Sequence, residues 1–301
     1  MDDKITKYET INDYNHAMLT ETLHPLVTIV DFSKLPKAHH GKYQFGFYAV
    51  MLKDTICGDM IYGRNYYDYQ EGTLVFIAPG QISGVKDNGE VYQPKGYALA
   101  FHPDLIRGTS LGRHIKDYTF FSYEVNEALH ISEQERKTIL ECFNNIDGEL
   151  HYAIDKHSRQ LIVNNIELLL NYCVRFYDRQ FITRENMNRD IITRFETLLH
   201  DYFKRDDLEE VGVPTVSYCA EKLHLSPNYF GDLVKRVSGS TAQEYIQTCL
   251  MDEAKERMVS GNQSVGEVAY SLGFRYPQHF ARLFKRKVGM SPLEYRHSFG
   301  L

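Results

Sequence analysis

One stretch constrains this chain more than any other: Ser264 to Arg296, SVGEVAYSLGFRYPQHFARLFKRKVGMSPLEYR. Ser264 with Glu267 three residues later is a capping box, in which each side chain satisfies a backbone N–H at a helix start. Val265, Val268, Ala269 and Leu272 follow on one face at helical spacing. Gly273 supplies a turn position that tolerates positive φ. Pro277 opens a second helix, where its missing N–H costs nothing. That helix turns Phe280, Leu283 and Phe284 inward and Gln278, His279, Arg282, Lys285 and Arg286 outward. A short helix, a glycine turn and a basic second helix describe a helix-turn-helix, the shape that fits a major groove.

The same layout occurs upstream. Val216, Cys219, Ala220 and Leu223 make a first helix and His224–Leu225–Ser226 a turn. Ser226 caps and Pro227 starts the next helix. This one buries Phe230, Leu233 and Val234 and is expected to expose Asn228, Tyr229, Gly231, Asp232, Lys235 and Arg236. Between the two units Ala242, Ile246, Leu250, Ala254 and Met258 form one apolar stripe, and Gly261 ends that helix. At about 1.5 Å per residue the spacer is roughly 30 Å long. One turn of B-DNA is roughly 34 Å. The spacing therefore predicts two reading helices in successive major grooves on one face of a duplex.

The last ninety or so residues resemble the DNA-binding domain of the AraC/XylS family of bacterial transcription regulators. The family signature, a-x-x-x-G-F-x-x-x-x-x-F-x-x-x-F-K-x-x-x-G-x-S-P-x-x-Y-R, is met by Ala269, Gly273, Phe274, Phe280, Phe284, Lys285, Gly289, Ser291, Pro292, Tyr295 and Arg296. Tyr245–Ile246 and Ala254–Lys255 match upstream. The resemblance implies that residues early in each second helix face bases: Asn228, Tyr229, Gly231 and Asp232 in the first unit, and Pro277, Gln278, His279 and Arg282 in the second. Gln and Asn suit adenine and Arg suits guanine by bidentate pairing. Lys235, Lys285 and Arg286 are placed to reach phosphates, with Arg236 beside them. Two positions depart from the family pattern. Asp232 stands where many members carry Arg, which points to cytosine N4 or shape readout. Leu250 replaces an Arg common in the spacer helix.

Charge agrees with one polyanion-facing part. The net charge is −6, but residues 1–210 hold 23 Lys+Arg against 32 Asp+Glu, and residues 211–301 hold 11 against 8. The tail's surplus is small, so specific contacts must carry the case for DNA. Five cysteines, at 57, 142, 173, 219 and 249, show no Cys-x-x-Cys pair, which predicts reduced thiols in a cytoplasm. No apolar run spans a bilayer, and the polar N-terminus does not read as a secretory signal.

The expected fold class is α+β, in four segments: a cupin-like β-barrel over 1–125, a helical dimerisation segment over 126–203, a linker over 204–213, and an all-α domain with two helix-turn-helix units over 214–301. Short aromatic and β-branched runs between about 22 and 102, punctuated by Gly63, Gly72 and Gly80, predict the strands. EGTLVFIAPG (71–80) looks like the second cupin motif. A metal cupin would carry His where Ser83 stands, and only the adjacent pair His39–His40 is available for the first motif. Adjacent strand residues point to opposite faces, so no metal site and no cofactor are expected. Tyr43, Phe45, Phe47, Tyr48, Tyr62, Tyr66, Tyr67 and Tyr69 would line the barrel, about half inward, suiting a small polar or sugar-like effector. The residues that would contact it are not legible.

Strong apolar faces on 132–146, 158–181 and 184–203 either pack on each other or meet a second subunit, a homodimer. No nucleophile–base arrangement emerges. The expected partners are promoter DNA and, with it, RNA polymerase. Two other readings stay open: a cupin-type enzyme carrying a DNA-binding tail, and a ligand-independent DNA-binding protein.

Overall fold

The computed structural model describes residues 5–39, 41–53, 72–84, 91–123, 127–183, 185–260 and 263–299. The chain forms two compact units, 1–183 and 184–301.

The first unit begins with a strand that the polar N-terminus did not announce, β1 (Ile5–Tyr8), then α1 (Ile11–Ala17). Strands follow: β2 (Val27–Asp31), β3 (Ala38–His39), β4 (Lys42–Phe45), β5 (Tyr48–Lys53), β6 (Thr73–Ile77), β7 (Ile82–Gly84), β8 (Val91–Tyr92) and β9 (Gly96–Phe101). Two short helices, α2 (Pro103–Ile106) and α3 (Ser110–His114), lead to β10 (Leu129–His130) and the long α4 (Glu133–Leu150) and α5 (Ser158–Thr183).

The main sheet is antiparallel in the order β10-β6-β5-β9-β2, and a smaller sheet runs β1-β4-β7 with β1 parallel to β4. A two-stranded pair joins β3 and β8. Among the described residues the strands do not close: β10 and β2 remain edges of the main sheet, so the expected barrel is replaced by open sheets. The space between the two larger sheets is filled by Ile11, Tyr14, Val30, Phe45, Phe47, Ile77 and small residues such as Ala98 and Ala100. Their rings interlock, with Tyr14 edge-on to Phe45 at 5.8 Å and tilted on Phe47 at 5.5 Å. Burial on this scale drives the sheets together. Of the expected barrel aromatics, Phe45 and Phe47 lie in this core, and Tyr48 instead stacks on Phe101 at 5.1 Å. Tyr62, Tyr66, Tyr67, Tyr69 and His40 lie outside the described residues.

β6 is buried on both faces because α5 and the Phe120–Phe121 segment cover its other side. α4 opens on a capping box, with the Glu135 N–H 3.3 Å from Ser132 Oγ and the Ser132 N–H 2.8 Å from the Glu135 carboxylate. The same carboxylate takes a two-pronged bond from Arg179 on α5, at 2.7 and 2.9 Å. Bidentate pairing of this kind fixes geometry as well as charge, and it locks α4 to α5.

The second unit starts with α6 (Glu185–Phe203) and α7 (Leu208–Val211). The first helix-turn-helix is α8 (Val216–Lys222) and α9 (Pro227–Ser238); the spacer is α10 (Ala242–Ser260). The second is α11 (Val265–Ser271) and α12 (Pro277–Val288), closed by α13 (Pro292–Ser298). This division moves α6 out of the middle segment. Its Phe195 is fully buried, edge-on to Phe230 of α9 at 4.9 Å and against Tyr245 of α10 at 5.3 Å. The stretch expected as a linker is also folded in: the Tyr202 hydroxyl donates to the Gly212 carbonyl at 2.9 Å.

Candidate nucleic-acid interface

Both readers rest on the spacer. Ala242, Ile246, Leu250, Ala254 and Met258 of α10 are all buried, the stripe their spacing predicts, and α10 packs on α8 and α9 of the first helix-turn-helix and on α11 and α12 of the second. Leu250, the departure from the family's Arg, is part of this core. Arg257 of α10 ties three segments together. It pairs with Glu253 at 2.7 Å, donates to Ser271 O at 2.9 Å at the end of α11, and donates to the Phe203 carbonyl of α6. Arg296 of α13 donates to Met258 O at 3.1 Å and Gln263 O at 2.6 Å, which fastens the end of the spacer.

The two turns use one geometry. In the first, the His224 N–H bonds Glu221 O and the Leu225 N–H bonds Ala220 O, each at 3.0 Å. In the second, the Gly273 N–H bonds Tyr270 O at 2.8 Å and the Phe274 N–H bonds Ala269 O at 3.0 Å. These paired bonds are a Schellman ending, whose penultimate residue sits at positive φ. That residue is Gly273 at +88° in the second unit and His224 at +58° in the first. Gly273 has a further reason to lack a side chain. A Cβ there would lie 2.6 Å from the Gly212 carbonyl carbon.

The readers start differently. Ser226 caps α9 by accepting from the Tyr229 N–H at 3.2 Å, whereas Tyr276, before α12, makes no side-chain cap bond. Pro277 has no N–H to cap, and the His279 N–H bonds Tyr276 O at 2.9 Å, at the positive end of a helix dipole. Both helices end on a left-handed glycine, Gly239 and Gly289.

On α12 the outward residues are placed as the sequence indicates: Gln278, His279, Arg282, Lys285 and Arg286 are exposed and Pro277 is half-buried at the helix start. On α9, Asn228, Lys235 and Arg236 are exposed and Gly231 and Asp232 half-buried. Tyr229 is the correction. It is 1% exposed and packs with the core face. Residues 229 and 233 are four apart, as are 230 and 234, so the apolar stripe of α9 is two residues wide and Tyr229 falls inside it. It cannot touch a base from there.

Three exposed residues at the second reader escaped the sequence reading: Arg275 and Tyr276 in the turn, and Lys287. Tyr276 lies edge-on to His279 at 5.3 Å. Arg275 was legible in one respect, since it is the residue that makes this turn one longer than the first.

In the first unit, the described residues bring no three His, Cys, Asp or Glu side chains together as a metal site would. Burial pushes the thiols of Cys142 and Cys219 up to about 11 and about 12, so neither is an activated nucleophile. No described helix is long and apolar enough to cross a membrane.

Residues 219–298 match the family described as a helix-turn-helix domain. An HTH-type transcriptional regulator of Bacillus subtilis, YobQ, is 22% identical over 253 residues, covering 82% of this chain and 95% of that protein. The B. subtilis bifunctional transcriptional activator and DNA repair enzyme AdaA is 29% identical over 99 residues, covering 33% of this chain and 46% of its own length. Among solved structures, the C-terminal domain of AraT, a response regulator of Geobacillus stearothermophilus, is 26% identical. It covers 36% of this chain and 84% of that one, with a TM-score of 0.32. The chain thus spans nearly all of one relative and under half of the other.

Proposed function

We propose, from the premise that residues 219–298 are an AraC-type helix-turn-helix domain, that this chain is a transcription regulator that reads promoter DNA with both of its second helices. One observation carries the reading: two helix-turn-helix units flank a single spacer with a buried stripe, and Gln278, His279 and Arg282 of α12 stand exposed. At about 1.5 Å per residue the 19 residues of α10 span about 28 Å, close to one duplex turn. In this reading Gln278 and Arg282 contact base edges, as Asn228 and Asp232 do in the other groove. Lys235, Arg236, Lys285 and Arg286, joined by Arg275 and Lys287, hold phosphates. The positive end of the α12 dipole suits a phosphate oxygen.

The N-terminal unit is proposed as the sensing part and its long helix α5 as the pairing element. Leu161 and Leu168 are exposed on α5 seven residues apart, two turns along one stripe, which suits a second copy of the same helix. The AdaA likeness covers only a third of the chain and supports no repair activity here.

Selection of binding sites from random duplexes, followed by footprinting on the DNA upstream of the gene, tests the proposal. Two protected boxes about one helical turn apart are expected. Even protection of any duplex would overturn sequence-specific regulation. Sedimentation of a Leu161→Asp, Leu168→Asp variant tests pairing, with a shift from dimer to monomer expected.

A further inference from the structure

The residue that precedes each reader differs in kind between the two units. Ser226 and Tyr276 correspond, 50 residues apart, each directly before the proline that opens its helix. Ser226 is 4% exposed and caps α9. Tyr276 is 55% exposed and makes no side-chain cap bond. A serine, threonine, aspartate or asparagine there would stabilise the helix start. The second unit forgoes that cap and stands a large ring at the head of its reader. Local rules are broken in this way at functional positions.

The place of the ring is set by its neighbours. Proline restricts the residue before it to extended backbone, and Tyr276 lies there, at φ −131° and ψ 112°. The His279 N–H bonds the Tyr276 carbonyl at 2.9 Å, and the two rings meet edge to face, 5.3 Å apart and 63° inclined. Backbone and rings thus tie the two residues together. His279 is exposed and lies three residues from Arg282, so the pair adjoins the row Gln278–Arg282 proposed to touch base edges.

Every base pair shows hydrogen-bond donors or acceptors in the major groove, and the thymine 5-methyl is the apolar group among them. Gln278 and Arg282 answer the polar groups. An aromatic edge beside them answers the methyl.

We propose that Tyr276, held by His279, is a specificity-determining residue that packs on a thymine methyl in the box read by α12. The assignment rests on the DNA-reading function proposed above and adds one base to its expected site.

Sites are selected from random duplexes with the full-length protein. Affinity for the selected site is then measured by fluorescence anisotropy with each thymine in turn replaced by uracil, which removes only the methyl. The parent protein is expected to select a thymine in the α12 box and to bind three-fold or more weaker when it becomes uracil. Tyr276→Phe should keep that discrimination. Tyr276→Ala and Tyr276→Ser should bind the thymine site three-fold or more weaker than the parent and no longer tell thymine from uracil there. Tyr276→Ser also supplies a capping hydroxyl, so it should melt no lower than the parent, which separates reading from support of the helix. Equal binding of thymine and uracil by the parent at every position, or full discrimination in Tyr276→Ala, would overturn the assignment. So would a Tyr276→Phe variant as weak as Tyr276→Ala on every duplex, which would make the hydroxyl a phosphate contact. No selected site at all would sink the regulator and this residue's role together, whereas a selected site without methyl discrimination would sink the residue's role alone.

Discussion

The two helix-turn-helix units share a frame and differ in what they show to the outside. The caps Thr215 and Ser264, the core pairs Ala220 and Ala269, and the turn residues His224 and Gly273 lie 49 residues apart. After the extra Arg275 the offset becomes 50, matching Pro227 with Pro277, Phe230 with Phe280 and Gly239 with Gly289. Outward chemistry is not repeated. Residues 277–288 carry four Lys or Arg and no acid, and residues 227–238 carry two with Asp232. The difference teaches that apolar spacing and caps set the scaffold, and that the outward face is free to vary on it. A second difference is support. The first unit leans on α6 through Phe195 against Phe230 and Tyr202 against Tyr218, whereas the second is braced by Arg257 and by the Gly212–Gly273 approach.

The largest expected effect breaks the first unit's support. Phe195→Ala removes a fully buried ring and should cost about 3–5 kcal/mol. Hydrogen exchange should show the loss concentrated in α8 and α9, and even loss over both units would contradict their separate bracing. Next comes the turn. Gly273→Ala adds a positive-φ penalty and a Cβ against the Gly212 backbone, for about 2–4 kcal/mol in thermal melts. His224→Gly relieves the same conformation and should change stability by no more than about 1 kcal/mol. On DNA, Arg282→Ala should cost about 1–3 kcal/mol at the preferred site and relax one base position. Asp232→Ala should cost less and should raise affinity for unrelated duplexes, since it removes a negative charge from the reading face.

The smallest effect is acid softening of one unit. Backbone and hydroxyl bonds from the capping serines hold the carboxyls of Glu267 and Glu294 below their ordinary range. A carboxyl lowered on folding adds stability above its unfolded pKa and loses it as pH falls through the folded one. Both caps serve the second unit, on α11 and α13. The caps of α8 and α9 pair a hydroxyl with a backbone N–H and do not titrate. Residue-resolved exchange between pH 6 and pH 3 should therefore loosen α11 and α13 before α8.

Much of the second unit was legible because its signals are local. A capping box, a proline at a helix start and a four-residue apolar stripe each lie within a few residues, and the capping box at Ser264 forms as its spacing indicates. What stayed hidden depends on distant partners or on a residue with two characters. Tyr229 carries an apolar ring and a hydroxyl, so its type fits either face and only the width of the stripe decides. The face Ile191, Phe195, Leu199 and Tyr202 told that α6 has a partner, but not that the partner includes α9. The strands between 22 and 102 were legible from aromatic and β-branched runs set between glycines, but closure rests on pairings that no local pattern encodes. β1, with its polar sequence ITKY, is held by its parallel register with β4 and gave no signal of its own.

In the proposed reading, with Tyr229 turned inward and Gly231 offering no side chain, α9 would have only Asn228 and Asp232 to tell one base pair from another early in its groove. α12 would have Gln278, His279 and Arg282. An operator bound by both would carry unequal information in its two halves: a tightly defined box under α12 and a degenerate one under α9. Drift in the looser half would then be the cheap route to grading one promoter's strength against another's, with the stricter half still fixing the address.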